Sequence, residues 1–214
     1  MTERGQVEAI CHFLHFTKAE VVLGGKFWLF WCDDLVLHFH EFGDQLVHME
    51  VGWSGFTFHF SAVYVKYTRV RRRHLWEAME VVSAKCQGPW MVAGDLNIIS
   101  NVNERSGGAP PNPRNMEDFN EAVFNCGLSD VGFEGSQFTW TNSVEWQHLD
   151  RALNNGAWNE LFQCSKVFHL SRGHLDHAPL MIRCGDIKAT ASSFRFFNVW
   201  RNHPDFLAIV QETW

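Results

Sequence analysis

No two of the six cysteines (Cys11, Cys32, Cys86, Cys126, Cys164, Cys184) form a C-x-x-C pair. Zinc-site spacing is therefore absent, and the thiols read as reduced, mostly buried apolar groups. Glycine-rich phosphate loops of the G-x-G-x-x-G or G-x-x-x-x-G-K kind are missing, as is a serine-nucleophile elbow, so the usual nucleotide-binding and serine-hydrolase signatures drop out. No apolar run approaches the ~20 residues of a membrane span, and no basic-then-apolar signal opens the chain. The expectation is a soluble, intracellular protein of the nucleus or cytoplasm with no membrane partner. Positive charge is not in excess either. The formal net charge of −6 argues against coating nucleic acid by bulk electrostatics, while leaving room for local phosphate binding in a cleft of carboxylates and metal. What the 214 residues do hold is apolar material, 46% hydrophobic with 19 Phe and 10 Trp, enough for one sizeable domain with or without a tail.

Periodicity divides the chain. Val7, Ile10, Cys11 and Leu14 fall at helical spacing and predict an amphipathic helix over Glu3–Phe16. Strands follow at Lys26–Cys32 (aromatic, read as buried), Leu35–Phe42, Gln45–Val51 and Gly55–Tyr64, and this run predicts an antiparallel meander. Leu75, Trp76, Met79, Val82 and Cys86 mark the stripe of a helix over Arg73–Cys86. Pro89–Ala93 has the pattern of a central strand delivering residues to its C-terminal end at Gly94. Asn101–Asn115 reads as loop, with Asn115 capping a helix Met116–Cys126 that Gly127 closes. Phe138–Trp140 and Trp146–Leu153 read as a strand pair, Ala157–Phe162 as a short helix, and Ser165–Leu170 and Pro179–Cys184 as strands. Lys188–Ser193 reads as a linker, and Phe206, Ile209 and Val210 predict an amphipathic helical tail. The expected division is a domain over 1–186 and an appendage over 187–214.

Three separated stretches carry chemistry: Gly94-Asp95-Leu96-Asn97, Leu149-Asp150-Arg151 and Asp176-His177-Ala178-Pro179-Leu180. Alternation at a strand end turns Asp95 and Asn97 to one side. A carboxylate there can orient a water, and the neutral amide can donate to a phosphate oxygen without adding repulsion. The same four residues could be only a turn after a strand. His177 needs a carboxylate to hold its tautomer, and Asp150 is the candidate, leaving Asp176 to meet a divalent cation; a solvated loop pair is the plainer alternative. Tyr64 either donates to a phosphate or caps its strand with the ring in the core. Arg69, Arg71 and Arg72 either contact a nucleic-acid backbone or form a solvated helix start. His38-x-His40 would share a strand face, but spacing places no third ligand, so these read as ordinary surface histidines.

On these residues the chain resembles the endonuclease/exonuclease/phosphatase superfamily, and within it the apurinic-like endonuclease domain of plant LINE-type (non-LTR) retrotransposons. The matching text runs in order through Gly88–Asn97, Glu104–Pro111, Met116–Phe119, Cys126–Phe133, Phe138–Trp140, Leu149–Leu153 and Asp176–Leu180. Phe194–Trp200 and His203–Phe206 resemble the connector toward a reverse transcriptase. The resemblance implies an α/β fold, a two-sheet β-sandwich flanked by helices, and Mg2+-assisted cleavage of a DNA phosphodiester. It assigns Asp95 to the water, Asn97 and Tyr64 to the phosphate, Asp150 to His177, His177 to the scissile phosphate and Asp176 to the metal, with Thr139 and Trp140 shaping the site.

Two parts of the family pattern are not visible before Val7: an asparagine in a W-N-x-R-G-like stretch, and a strand ending in a metal-binding Glu before Thr-Lys. Leu175 stands where relatives have serine. The expectation is an N-terminally incomplete domain with an exposed sheet edge and a weakened hard-cation site. Alternative expectations are an inactive remnant acting at most as a binding module, or a phosphatase of the same superfamily.

Overall fold

The computed structural model describes residues 3–185, so the expected linker and tail lie outside the described residues. In chain order, helix α1 (Glu3–Phe13) precedes β1 (Lys18–Val22), β2 (Phe27–Trp31), β3 (Leu35–Phe42), β4 (Leu46–Trp53), β5 (Phe56–Tyr64), helix α2 (Arg69–Lys85) and β6 (Trp90–Asp95). Then come a 3-10 turn (Val102–Glu104), β7 (Arg105–Ser106), helix α3 (Pro113–Asn125), β8 (Leu128–Asp130), β9 (Glu134–Gly135), β10 (Trp140–Thr141), β11 (Trp146–Gln147), β12 (Asp150–Asn155), helix α4 (Gly156–Leu161), β13 (Cys164–His169) and β14 (Leu180–Gly185).

Alternation shows how these layers stack. In β6, Val92 belongs to a core with Leu75, Met79 and Phe119, while its neighbours Met91 and Ala93 belong to another with Trp158, Phe162 and Val167. The sheet is therefore apolar on both faces, as a central layer must be. It has six strands in the order β3-β4-β5-β6-β12-β8, and only β5 and β6 run parallel, linked through α2. Helices α2 and α3 cover one face. The other is covered by the β1–β2 hairpin, over Val47, Met49 and Val51, and by the three-stranded sheet β14-β13-β9. This is the sandwich flanked by helices that was expected, with its second layer in two separate pieces.

Four local expectations are corrected. The meander has three strands, because β2 pairs instead with β1, a strand not anticipated, through a turn in which Leu23, Gly24 and Gly25 all take positive φ. The aromatic β2 is half-buried along its length, as the outer layer leaves it. Helix α2 starts at Arg69, which pairs in two-pronged fashion with Asp118 of α3 at 2.7 Å on each prong. Helix α3 starts at Pro113, whose fixed φ suits a first turn, and Asn112 caps it by accepting from the Arg114 N–H. All six cysteines are free thiols; two are buried and four half-buried.

Gly94 shows why β6 can approach β5 so closely. Its φ of +140° lies where L side chains are strained, and a Cβ would run into the Val63 carbonyl oxygen. Gly94→Ala is expected to cost about 1–3 kcal/mol. Urea unfolding checks this, and an unchanged midpoint would contradict it.

Candidate active site

Three adjacent strands end in one row. Parallel pairing sets Tyr64 of β5 beside Asp95 of β6, and antiparallel pairing sets Asp150 of β12 on the other side of Asp95. In-register residues share a face, so the three side chains project together. Leu96 turns the opposite way and is fully buried, which anchors the strand end.

His177 reaches this row from the segment between β13 and β14. That segment is stitched onto 139–141: the Ala178 N–H donates to the Thr139 carbonyl at 2.7 Å, and the Thr141 N–H donates to the Asp176 carbonyl at 3.0 Å. Thr139, itself fully buried, also accepts the Leu149 and Asp150 N–H groups on its hydroxyl at 3.0 and 2.9 Å. One residue therefore holds both the start of β12 and the strap that carries the histidine. His177 Nδ1 lies 2.8 Å from Asp150 Oδ2, and Asp95, Asp150 and His177 offer ligand atoms that all fall within 4.8 Å of one another. Among the described residues this is the only such group of three.

The electrostatics follow from that crowding. Burial, and then the neighbouring Asp150 charge, pushes the Asp95 carboxyl up to about 6, against the opposing pull of the Asn97 N–H. The hydrogen bond to Asp150 raises the His177 imidazole above its ordinary value in spite of burial. With its Nδ1–H directed at Asp150, His177 presents Nε2 to the cleft.

The other named residues are placed as follows. Asn97 sits in the left-handed region at φ +51°, which asparagine tolerates. Its amide nitrogen lies 3.1 Å from the Val65 carbonyl and 3.4 Å from Asp95, so in this arrangement it braces the carboxylate. Tyr64 is 53% exposed and lines the cleft rather than the core. Asp176 is exposed and stands outside the group of three, although its charge helps to raise Asp95. Arg69 and Arg72 line the cleft, but Arg72 is buried and donates to the Tyr67 and Asn97 carbonyls at 2.8 and 3.2 Å, while Arg71 is exposed away from it. The cleft measures about 630 Å3, with Asp95, Asn97 and His177 in its lining and Trp140, Arg105 and Tyr67 at its borders.

One ion pair had no signal in the sequence. Arg151, buried beside Asp150, binds Glu104 at 2.6 Å and Asp130 at 2.9 Å. Ser100 adds its N–H and hydroxyl to the Glu104 carboxylate at 2.6 and 2.7 Å. Burial alone would raise the Glu104 carboxyl, but hydrogen bonds from His148 and Arg151 and the Arg151 charge outweigh it and hold the group well below the usual carboxylate range. Glu104 and Arg151 are separated by 47 residues, and nothing local marks them as partners.

No protein-family model and no curated protein matches this sequence. Solved structures match its shape. The endonuclease domain of TRAS1, a telomere-specific non-LTR retrotransposon, superimposes with a TM-score of 0.59 at 13% identity over 80% of either chain. A truncated Caenorhabditis elegans TDP2 gives 0.55 at 14% identity, over 87% of this chain and 82% of that one. A functionally unknown conserved protein from Enterococcus faecalis V583 gives 0.53 at 13%, over 85% and 81%. The chain has an endonuclease/exonuclease/phosphatase-like fold. Among the described residues no helix is long and apolar enough to cross a membrane.

Proposed function

We propose that this chain is a Mg2+-dependent DNA endonuclease domain derived from a non-LTR retrotransposon, a phosphodiester hydrolase of low turnover. The observation that carries the reading is the convergence of Asp95, Asp150 and His177 from strands and a strap far apart in sequence, with Asp95 and His177 lining one cleft and Asp150 buried behind them. One oxygen of the Asp95 carboxylate accepts a hydrogen bond from the attacking water and orients it. Asp150 holds His177 so that Nε2 meets a phosphoryl oxygen, where the raised imidazole offsets developing charge. The Tyr64 phenol donates to the same phosphate, joined by the Asn97 amide once it swings from Asp95. Arg69 at the cleft faces the nucleic-acid backbone, while the buried Arg72 braces the cleft wall through the Tyr67 and Asn97 carbonyls. The retrotransposon origin and a plant LINE source rest on the ordered motifs from Gly88 to Leu180, and a link toward a reverse transcriptase rests on the sequence of Phe194–Trp200 and His203–Phe206.

The donor set suits a hard cation. Two adjacent carboxylates, with Asp95 lifted first by burial and then by the Asp150 charge, are the arrangement that a divalent ion relieves, and Mg2+ is commonly held by one or two carboxylates with waters completing the shell. Asp95 and Asp150 would hold it, with Asp176 at the rim. When bound, the ion supplies charge stabilisation at the phosphoryl oxygen. Because Asp150 is already engaged by His177 and no further carboxylate joins the group among the described residues, binding is weak and turnover low.

The test is nicking of supercoiled DNA with Mg2+, comparing wild type with His177→Ala and Asp150→Asn. A fall of about 10²–10⁴-fold in either variant is expected. Equal cleavage in all three proteins would overturn the reading. A proton competes with the ion for Asp95, so Mg2+ affinity should drop by up to about tenfold per pH unit below about 6 and level off above it. Calorimetric titration on either side of that value checks the slope, and pH-independent affinity would refute it.

A further inference from the structure

Three neighbouring strands bring together histidines that the sequence scatters. His40 of β3 pairs in register with His48 of β4, and His59 of β5 stands opposite Glu50, one step along the same face. The rings of His48 and His59 lie 5.2 Å apart, and those of His40 and His48 lie 6.3 Å apart. All three line one cavity of about 350 Å3, together with Val82, Lys85 and Cys86 from the end of α2. This cavity lies on the helix-covered face, at the end of the sheet away from Asp95, so it is separate from the cleft described above.

We propose that His40, His48 and His59, with the Cys86 thiolate, form a second metal site that takes a borderline first-row cation of the Zn2+ or Co2+ kind. Imidazole and thiolate select such ions over Mg2+ and Ca2+, whose shells are built of oxygen. The dimensions fit. With metal–nitrogen bonds of about 2 Å, two imidazoles sharing a tetrahedral ion hold their ring centres roughly 5 Å apart. The His48 and His59 ring centres stand at that spacing with the rings nearly parallel, but the ligand atoms of the three histidines do not yet converge, so the rings have to turn toward the ion on binding, the exposed His40 most of all.

Four further features point the same way. The buried Nδ1 of His59 has no hydrogen-bond partner, the kind of atom whose desolvation is otherwise uncompensated. Ser61 Oγ accepts the Trp90 indole N–H at 2.9 Å and lies 2.9 Å from His48 Nδ1. A His48 Nδ1–H donated to that oxygen puts the basic lone pair on Nε2, the outer-shell support that ligating histidines usually have. The cavity opens at the C-terminal end of the 17-residue α2, where the carbonyl ends favour a cation. Burial holds the His48 imidazole down to about 4 and lowers that of His59, so both are neutral ligands at pH 7. Glu50 faces His59 favourably, while Lys85 opposes the cation, and the Cys86 thiol, raised by burial and donating to the Gly88 carbonyl at 3.9 Å, has to give up that proton and contact to the ion.

The experiment titrates Co2+ into the Asp95→Asn/Asp150→Asn double variant, in which the acidic cleft is disabled. One equivalent bound with the visible spectrum of a tetrahedral ion is expected. Affinity should fall at least about tenfold on adding His40→Ala or His59→Ala. His40 is exposed, so its variant keeps the fold. Cys86→Ser should remove the thiolate-to-cobalt band. Undiminished binding in both histidine variants, or none in the double variant itself, would overturn the site, and a band that survives Cys86→Ser would remove the thiolate from it.

Discussion

Replacing Asp95 by asparagine is expected to give a protein that resists urea better at pH 7 and no longer cleaves DNA. The carboxyl is raised from 3.8 to about 6 in the fold, so its charged form is disfavoured there relative to the unfolded chain. The sign follows from proton binding. A group with a raised folded pKa contributes stability while protonated, below 3.8, and that contribution is lost as pH climbs through about 6. The amide of the Asp95→Asn variant stays neutral at every pH. It also preserves an oxygen for the Asn97 N–H, which lies 2.8 Å from Asp95 Oδ1. The variant should therefore match wild type below pH 4 and exceed it by roughly 3 kcal/mol above pH 6, since each tenfold change in proton affinity corresponds to about 1.4 kcal/mol. Saturating Mg2+ should narrow the gap, because only the wild type has the charge that the ion neutralises. Unfolding midpoints at acid and neutral pH decide the matter, and a constant difference across the range would mean that Asp95 is not strained. Such a gain on removing a site residue is the expected form of a trade between stability and activity.

The second large effect concerns Glu104. Arg151 has 2% of its side chain exposed and depends on Glu104 and Asp130 for compensation. Removing Glu104 leaves the buried guanidinium with the more exposed Asp130 alone, so Glu104→Gln is expected to cost about 3 kcal/mol, at the low end for breaking a buried pair. Arg151→Met should cost less than that once Glu104→Gln is also present, because the double variant buries no lone charge. Acid separates this from general misfolding. The Glu104 contribution is present above 4.5 and is lost as pH falls through its depressed folded value, so wild type should converge on Glu104→Gln only in strong acid. A double-mutant cycle by urea unfolding checks the coupling, and additive losses would show that the two residues act independently. Activity should fall too, since Arg151 adjoins Asp150 and also donates to the His148 carbonyl at 3.0 Å.

Much of the scaffold is visible in local pattern. The alternation of β3 to β5, the stripe of α2 and the apolar run ending at Gly94 are short-range signals, and they place Asp95 and Tyr64 at strand ends. The errors fall where long-range partners decide. Lys18–Val22 has no strong strand pattern of its own and becomes β1 only because β2 lies across from it. Helix α2 gains an extra turn because Asp118, from a different helix, anchors Arg69.

The residue types able to handle a phosphate, and the strand ends that carry them, are set by the sequence itself, because side-chain alternation and turn chemistry act within a few residues. Register and burial are different. That Asp150 lies against Asp95, that Asp176 stays outside while His177 turns in, and that His40 finds His48 and His59 depend on pairings between distant segments. The proton affinity of Asp95 was decided by the tertiary structure alone, since only packing removes its water and brings a second carboxylate beside it.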